Sequence, residues 1–187
     1  MKQVILDVET TGLNERRNGI IQLSGIIITD GAYRESFDFR CKPLPQDDID
    51  EKALAVSGLD RMVIQKYQSP YDAKRQFTEL LKQYIDPYDR SDKALFIGYN
   101  AVFDWRFLYT WFQKLGDNFF GSYFFYPPID VAVLAGEHLK AKRSGMKNFK
   151  LNTAAEHVGI KVNQDRLHDS MYDVELTWEL YLQITKQ

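Results

Sequence analysis

An Asp30-Gly31 turn signal separates two segments with strand patterns, and this arrangement limits the possible folds more than any other feature of the sequence. Residues 20–28 are almost continuously apolar, which is typical of a buried strand. Residues 33–41 alternate apolar and polar side chains with a period of two, which is typical of a strand with one buried face. An Asp-Gly pair between two such segments predicts an antiparallel hairpin.

The rest of the chain predicts an α/β domain. Residues 4–9 precede the hairpin as a third strand, so the chain is expected to begin with a three-stranded antiparallel meander. A short apolar run at residues 94–98 ends in glycine and predicts a buried parallel strand. Helical patterns occupy residues 47–56, a longer segment after Pro70, the region around 105–112, and residues 127–139, 151–157 and 170–184, while 140–150 is expected to be a basic loop. This order predicts a mixed sheet flanked by helices.

Length and composition favour one intracellular domain. The 187 residues, 44% of them hydrophobic, suffice for one substantial core, so we expect a single domain over residues 1–187. Cys41 is the only cysteine, which excludes an internal disulfide and a thiolate metal cluster. No apolar run approaches the roughly 18 residues of a membrane span, and no leader pattern is present. We therefore expect a cytoplasmic protein without a membrane partner.

The net charge of -2 lowers the expectation of a passive nucleic-acid coat protein, because such proteins carry an overall basic surface. It is compatible with a nuclease, whose acidic metal site offsets a local basic patch. The segment from His138 to Lys150 is a candidate patch, since its five cations are interrupted by no acid. A solvated charge run is the alternative, but we favour phosphate contacts for Lys142, Arg143 and Lys147, with Arg16 and Arg17 as weaker candidates.

Two carboxylates, Asp7 and Glu9, stand at the end of the first predicted strand. The two-residue period of a strand places them on one face. At ~4 Å and an effective dielectric near 20, they repel each other by roughly 4 kcal/mol. A divalent metal ion is the simplest way to hold such a pair, although a solvated strand end is the alternative for this motif alone.

Two further stretches place acids where elements begin. Asp104 follows the apolar run at 94–98 and lies in the first turn of the next helix, where a helix dipole alone would also favour an acid. His168 precedes Asp173 by five residues at the start of the last helix. Histidine titrates near neutrality and is able to accept a proton from water, although lone histidines are more often structural.

Together the three stretches resemble the motifs of a known family. Asp-x-Glu-Thr-Thr-Gly-Leu at 7–13, Tyr-Asn-Ala-x-Phe-Asp at 99–104 and His-Asp-x-x-x-Asp at 168–173 are similar, in this order, to the three motifs of the DEDDh 3′-5′ exonucleases. That family includes the proofreading epsilon subunit of bacterial replicative polymerase and ribonuclease T. The resemblance spans nearly the whole chain. Asp169, four residues before the last aspartate, excludes the subclass that has a tyrosine base at that position.

The resemblance implies an RNase H-like fold with a five-stranded mixed sheet and removal of nucleotides from single-stranded 3′ ends as 5′-monophosphates. It implies that two Mg²⁺ or Mn²⁺ ions are bound by Asp7, Glu9, Asp104 and Asp173, and that His168 activates the water. Two metals stabilise both the attacking and the leaving oxygens of an in-line displacement, which an anionic phosphate requires.

The same resemblance implies substrate contacts. The backbone of Thr10 is expected to meet the 3′-hydroxyl and Leu13 to pack against the terminal base, and the expected substrate-binding residues are Thr10, Thr11, Leu13, Asn100 and Phe103. Tyr99 and Ser57 stand where many members have histidine, which bears on substrate preference. In the dense aromatic cluster at 119–126, most rings are expected in the core or an interface, with one or two able to stack on bases.

Three functions are compatible with this sequence. We expect DNA as the substrate, because the first motif is similar to that of proofreading enzymes; a polymerase or a second copy of the chain is then the expected partner. The first alternative is an RNA 3′-end trimming enzyme of the ribonuclease T type. The second is a non-catalytic nucleic-acid or polymerase-binding module, which has no need of a costly carboxylate cluster.

Overall fold

A computed structural model describes residues 1–56, 58–166 and 169–185. Within these ranges the chain forms one mixed sheet of five strands in the order β3-β2-β1-β4-β5. β1 pairs antiparallel with β2 and β2 antiparallel with β3, whereas β4 is parallel to both β1 and β5. The strands are β1 (Lys2–Thr10), β2 (Ile20–Thr29), β3 (Ala32–Arg40), β4 (Ala94–Gly98) and β5 (Phe124–Asp130). The predicted hairpin and the three-stranded meander are confirmed.

Helices cover both faces of this sheet. The α-helices are α1 (Glu51–Val56), α2 (Arg61–Ile64), α3 (Pro70–Lys82), α4 (Ala101–Lys114), α5 (Val131–His138), α6 (Leu151–His157) and α7 (Ser170–Thr185). Short 3₁₀ helices occupy Phe120–Ser122, Lys140–Gly145 and Gln164–Arg166. In the described part of the chain, no helix is long and apolar enough to cross a membrane.

The alternation of side chains along β1 separates two cores. Val4, Leu6 and Val8 pack with residues of α3 and α4 on one face. Ile5 packs on the opposite face with residues of α5, α6 and α7. By the same alternation Asp7 lies on the α7 side, at the end of the strand where β1 leaves the sheet. The fold therefore brings α7 over the predicted carboxylates and starts α4 beside them.

One strand was predicted wrongly. Residues 127–130 were expected to begin a helix, but Phe124–Asp130 is the strand β5, and α5 begins only at Val131. Pro127 and Pro128 obscured the strand pattern; an edge strand tolerates proline because one side of its backbone has no partner. The Asp130 side chain accepts a hydrogen bond from the backbone N–H of Ala132 at 2.9 Å and so caps α5.

Two other segments depart from prediction. The helix expected over residues 47–56 begins at Glu51, because the Asp50 side chain accepts a hydrogen bond from the Lys52 N–H at 2.9 Å and caps the helix there. The loop expected over 140–150 contains the 3₁₀ helix Lys140–Gly145 and is otherwise irregular. Gly58 has the positive φ of +63° expected after a helix end, while Ser57 lies outside the described residues.

The aromatic cluster divides between the core and the surface. Phe120, Tyr123 and Phe124 are buried, in agreement with the prediction of core rings. Phe119, Phe125 and Tyr126 are 71%, 40% and 78% exposed. Of the exposed rings, Phe125 and Tyr126 lie on the edge strand β5.

Candidate active site

Asp7 lies on β1, partly buried beneath the first turn of α7. The Ser170 hydroxyl of that turn donates a hydrogen bond to Asp7 Oδ2 at 3.1 Å. Burial, followed by the negative charges of Glu9 and Asp173, raises the pKa of Asp7 from 3.8 to about 7. Ionising this carboxyl is therefore costly unless a cation accompanies it.

Asp104 reaches the same place from α4. Asp104 is only 3% exposed. Its Oδ1 accepts a hydrogen bond from the Val8 backbone N–H at 3.1 Å, and this bond connects α4 to β1. Burial and the charge of Asp7, with a smaller contribution from Glu9, raise the pKa of Asp104 well above its ordinary value. Asn100, which adopts a left-handed conformation with φ of 64°, turns the chain from β4 into α4.

Asp173 completes the set from the first turn of α7, where its backbone N–H donates to the Asp169 carbonyl at 2.9 Å. The negative charge of Asp173 contributes to the raised pKa of Asp7. Four predicted ligands, from three elements, are thus electrostatically connected. His168, the predicted base, lies outside the described residues.

The chemistry of these donors fits a hard divalent cation. Carboxylate oxygens are the preferred ligands of Mg²⁺ and Mn²⁺. Among the ion pairs of the described residues, none gives Asp7 or Asp104 a basic partner. Nor do three or more Asp, Glu, His or Cys side chains of the described ranges form a ready coordination group. Support for a cation therefore comes from burial and uncompensated charge rather than from preformed metal geometry.

The turn after β1 presents Leu13 to solvent. The Thr10 hydroxyl donates to the Gly12 carbonyl at 2.7 Å. Thr11 is fully buried, and its hydroxyl donates to the Asp48 carbonyl at 2.6 Å. Leu13, by contrast, is 83% exposed. The Thr11 side chain therefore holds the turn, and its expected contact with substrate stays a prediction.

The Asn18 side chain holds this turn in place by hydrogen bonds, a role that sequence reasoning did not predict. Its Nδ2 donates to the carbonyls of Asp48 at 2.9 Å and Thr11 at 3.3 Å, while its Oδ1 accepts from the Asn14 N–H at 3.0 Å. A Cβ atom on Gly12 would lie 2.5 Å from the Asn18 amide group, so only glycine fits there. The only sequence signal was an Asn-Gly pair before a strand, which indicates a turn but not these long-range partners.

Leu13, Asn100 and Phe103 line one cavity of about 210 Å³, together with residues of the first turns of α4. The Phe103 ring is partly buried, with its centroid 4.7 Å from that of Phe107. Three residues that were predicted from two separate motifs to contact substrate are thus brought together. We refer to this space as the terminal cavity.

The basic segment contributes two cations, Lys140 and Arg143, to a groove near the site. The Arg143 guanidinium lies 3.6 Å from the centroid of the Phe149 ring. Arg143 lines a groove of about 490 Å³ that also includes Asn100, a residue of the terminal cavity. Lys142 Nζ is 3.4 Å from the His157 carbonyl, and Lys147 is exposed. Neither lysine lines this groove, so their phosphate contacts stay predictions.

Tyr99, which replaces a frequent family histidine, supports the same groove. Its hydroxyl donates to the Phe149 carbonyl at 2.7 Å. This bond fixes the backbone of the residue whose ring Arg143 covers. The departure from the family pattern is thus accommodated by a hydrogen bond to the basic segment.

Comparison with known proteins identifies the family of this chain. The model of the exonuclease family matches residues 4–181, so the chain belongs to the exonuclease family, as its three motifs predicted. The chain is 29% identical over 186 residues to the 3′-5′ DNA exonuclease Cap18 of Escherichia coli, covering 92% of this chain and 88% of that protein.

Two other relatives differ in name and in length. Ribonuclease T of Hahella chejuensis is 27% identical over 195 residues, covering 98% of this chain and 83% of that protein. The PolC-type DNA polymerase III of Thermotoga petrophila is 26% identical over 183 residues, covering 98% of this chain. The chain spans only 12% of the length of that polymerase.

The fold is also that of a solved exonuclease. The crystal structure of E. coli exonuclease I in complex with a dA16 oligonucleotide matches with a TM-score of 0.76 at 18% identity, covering 98% of this chain and 40% of that chain. The predicted RNase H-like exonuclease fold is confirmed.

Proposed function

We propose that this protein is a divalent-metal-dependent 3′-5′ exonuclease that removes single nucleotides from the 3′ end of single-stranded DNA. The observation that carries the proposal is the convergence of four acids. The charges of Glu9 and Asp173 raise the pKa of Asp7, those of Asp7 and Glu9 raise the pKa of Asp104, and neither Asp7 nor Asp104 has a basic partner among the described ion pairs. Burying acids in this way destabilises the fold, and a bound cation offsets that cost.

The chain's own residues hold the reacting groups in place. Ser170 orients Asp7, and the Val8 N–H orients Asp104. When bound at the four carboxylates, two divalent ions supply charge stabilisation to the attacking and leaving oxygens. His168 is proposed to take the proton of the attacking water, since an imidazole accepts protons near neutral pH.

The proposed reaction is an in-line hydrolysis at the last phosphodiester. The water oxygen bonds to phosphorus as the bond between phosphorus and the O3′ of the preceding nucleotide breaks. The O3′ leaves with a proton, so the products are a nucleoside 5′-monophosphate and a strand shortened by one residue. The terminal cavity, with Leu13 and Phe103 in its wall, is the proposed site of the terminal base.

DNA is proposed over RNA on the basis of the relatives. The most identical relative named above is called a DNA exonuclease, and exonuclease I was solved with a DNA oligonucleotide. The ribonuclease T relative, of which this chain covers 83%, supports RNA 3′ ends as the second candidate. A DNA polymerase partner is suggested by the PolC match, and a second copy of the chain stays an alternative partner.

Matched DNA and RNA oligonucleotides labelled at the 5′ end test the proposal. With Mg²⁺ or Mn²⁺, we expect a ladder of DNA products shortened one residue at a time, no ladder in EDTA, and slower cleavage of the RNA. Faster RNA cleavage would assign the second candidate. Binding without any cleavage, with either metal, would favour the non-catalytic module.

A further inference from the structure

Lys114, the last residue of α4, is bonded to the turn that presents Leu13. Its Nζ donates hydrogen bonds to the Asn18 carbonyl at 2.8 Å and to Asp47 Oδ1 at 2.6 Å. The Lys114 side chain is only 15% exposed, and that of Asp47 only 1% exposed. One largely buried cation therefore joins the end of α4 to two other parts of the chain, where water screens the interaction little.

Asp47 belongs to a segment, residues 43–50, that is hydrogen-bonded to the same turn. We call this segment the turn support. The Thr11 hydroxyl and the Asn18 Nδ2 both donate to the Asp48 carbonyl, at 2.6 and 2.9 Å. A Cβ atom on Gly19 would lie 2.4 Å from Asp47 Oδ2, so the support lies in close contact with the end of the turn. The turn and the turn support therefore form one unit.

Leu13 depends on this unit for its position. Because Leu13 is 83% exposed, packing of its own side chain fixes it little. Phe103, another residue that lines the terminal cavity, belongs to the first turn of α4. The distance between Leu13 and Phe103 across the cavity is therefore set by how the turn and its support are attached to α4.

Lys114 supplies the polar part of that attachment. Among the hydrogen bonds and ion pairs of the described residues, those from α4 to the turn or to the turn support come from Lys114 Nζ. From Asp104 to Lys114 the helix extends ~15 Å at ~1.5 Å per residue. The attachment is therefore far enough from the proposed metal ligands to be changed without removing a carboxylate.

We propose that Lys114 is a positioning residue for the 3′-terminal nucleotide. Through Asn18 and Asp47 it holds the turn at a fixed place relative to α4, so that Leu13 meets the terminal base in the terminal cavity. The inference rests on the proposed function, because that function assigns the cavity to the terminal base. A turn that is ordered before the strand arrives favours binding, since ordering it on binding would cost affinity.

The double variant Asp47→Asn/Lys114→Met tests the proposal, because it removes the attachment without leaving a buried charge. KM for the octanucleotide (dT)₈ should rise about tenfold, because the loosened turn must be ordered when the strand binds. We expect kcat to be nearly unchanged, since the lost contribution is to binding of substrate and transition state alike. Lys114→Arg keeps a cation with several N–H donors and should keep the KM of the parent.

Leu13→Ala distinguishes positioning of the turn from a general effect on the fold. Leu13→Ala alone should raise KM for (dT)₈. If Lys114 acts through Leu13, adding Asp47→Asn/Lys114→Met to Leu13→Ala should raise KM little further, because the two changes remove one shared interaction. A further rise as large as the one in the parent background would overturn the proposal.

Lys74 and Asp117 provide a matched control. They form another partly buried ion pair, with side chains 19% and 18% exposed, which joins α3 to the loop after α4. Asp117→Asn/Lys74→Met makes the same two exchanges, and asparagine still accepts the Phe119 N–H, which lies 2.8 Å from Asp117 Oδ1. This variant should keep the KM and kcat of the parent. Urea denaturation of each variant checks that it is folded.

Binding of fluorescent (dT)₈ in EDTA, followed by anisotropy, tests the positioning role independently of catalysis. Weaker binding by Asp47→Asn/Lys114→Met than by the parent and the control supports this role even if the parent hydrolyses nothing, a result that would overturn the proposed function alone. Equal binding and equal KM in parent and variant would overturn the positioning role and leave the exonuclease in place. A parent that neither binds nor cleaves (dT)₈ would overturn both.

Discussion

Asp47 and Asp104 are both buried aspartates, yet their surroundings are opposite. The Asp47 side chain is 1% exposed, Lys114 Nζ lies 2.6 Å from its Oδ1, and the Leu44 N–H donates to its Oδ2 at 3.0 Å. Asp104 is 3% exposed, but the charges that act on it are those of Asp7 and Glu9. Asp47 has its counterion in the chain, whereas Asp104 has none among the described ion pairs.

The comparison contrasts a structural acid, Asp47, with Asp104, which we propose to be functional. Lys114 also donates to the Asn18 carbonyl at 2.8 Å, so the Asp47 pair joins the end of α4 to the turn that presents Leu13. A paired, hydrogen-bonded acid of this kind stabilises a fixed arrangement. Acids that raise one another's pKa instead destabilise the folded arrangement. Such acids are a feature of sites that bind cations or perform acid-base chemistry.

Removing Asp7, one of the four converging acids, should have the largest effect on activity. Asp7→Asn should abolish metal-dependent release of mononucleotides, because it removes a proposed ligand while keeping the shape of the side chain. The assay is the product ladder from a 5′-labelled oligonucleotide. Asp72→Asn, an exposed acid of α3 paired with Arg75, is the control and should keep full activity. Normal activity in Asp7→Asn would exclude the proposed mechanism.

Removing the counterion of Asp47 should instead affect stability. Lys114→Met leaves a buried carboxylate unpaired and should lower the free energy of unfolding by about 3–5 kcal/mol. Urea denaturation measures this change. The double variant Asp47→Asn/Lys114→Met should recover most of the loss, because asparagine carries no charge and still accepts the Leu44 N–H. A double variant no more stable than Lys114→Met would refute the role of the pair.

His168→Ala should slow hydrolysis by ~10²-fold or more, because it removes the proposed general base. Binding of Mn²⁺ should persist, since the four carboxylates remain. His138→Ala, on the exposed end of α5, is the matched control. Equal rates for His168→Ala and the parent would remove histidine from the base role.

The stability of the metal-free protein should depend on pH with a defined sign. Asp7 has a pKa of about 7 in the folded protein and an ordinary value of 3.8, so between these values the folded chain binds more protons than the unfolded one. Stability in EDTA should therefore fall as pH rises from about 4 through 7.

Divalent metal should counteract this loss. Added Mg²⁺ should raise the melting temperature more at pH 8 than at pH 5, because the carboxylates are ionised at the higher pH and bind the cation. Differential scanning fluorimetry at the two pH values measures the effect, expected to be a few degrees, at roughly 2–4 °C per kcal/mol. An Mg²⁺ shift that is equal at both pH values would contradict the assignment.

Local patterns predicted most of the fold. The Asp30-Gly31 turn, the buried pattern of β2 and the helical stripe of α3 are each determined by residues close in sequence. The family resemblance implied a fifth strand, but the local pattern did not locate β5, because its prolines hide the strand pattern and its place at the edge depends on pairing with β4. Strand pairings between distant segments leave no periodic signal in the chain.

The candidate site was likewise predicted only in part. Asp7, Glu9, Asp104 and Asp173 were found from motif spacing, and the structure places their charges within reach of one another. Asn18 and the Asp47–Lys114 pair were missed, because partners such as Asp48, 30 residues from Asn18, and Lys114, 67 residues from Asp47, are set by tertiary packing. Contacts of this kind became visible only once the turn, α4 and the segment before α1 were assembled.

Binding of Mn²⁺, followed by the loss of its free-ion paramagnetic resonance signal, tests the central claim most directly. The parent protein and Asp47→Asn should both bind Mn²⁺ at pH 8, whereas Asp104→Asn should bind it at least tenfold more weakly. If Asp104→Asn binds Mn²⁺ as tightly as the parent, the carboxylates around Asp7 and Asp104 are not a metal site and the proposed exonuclease mechanism is wrong.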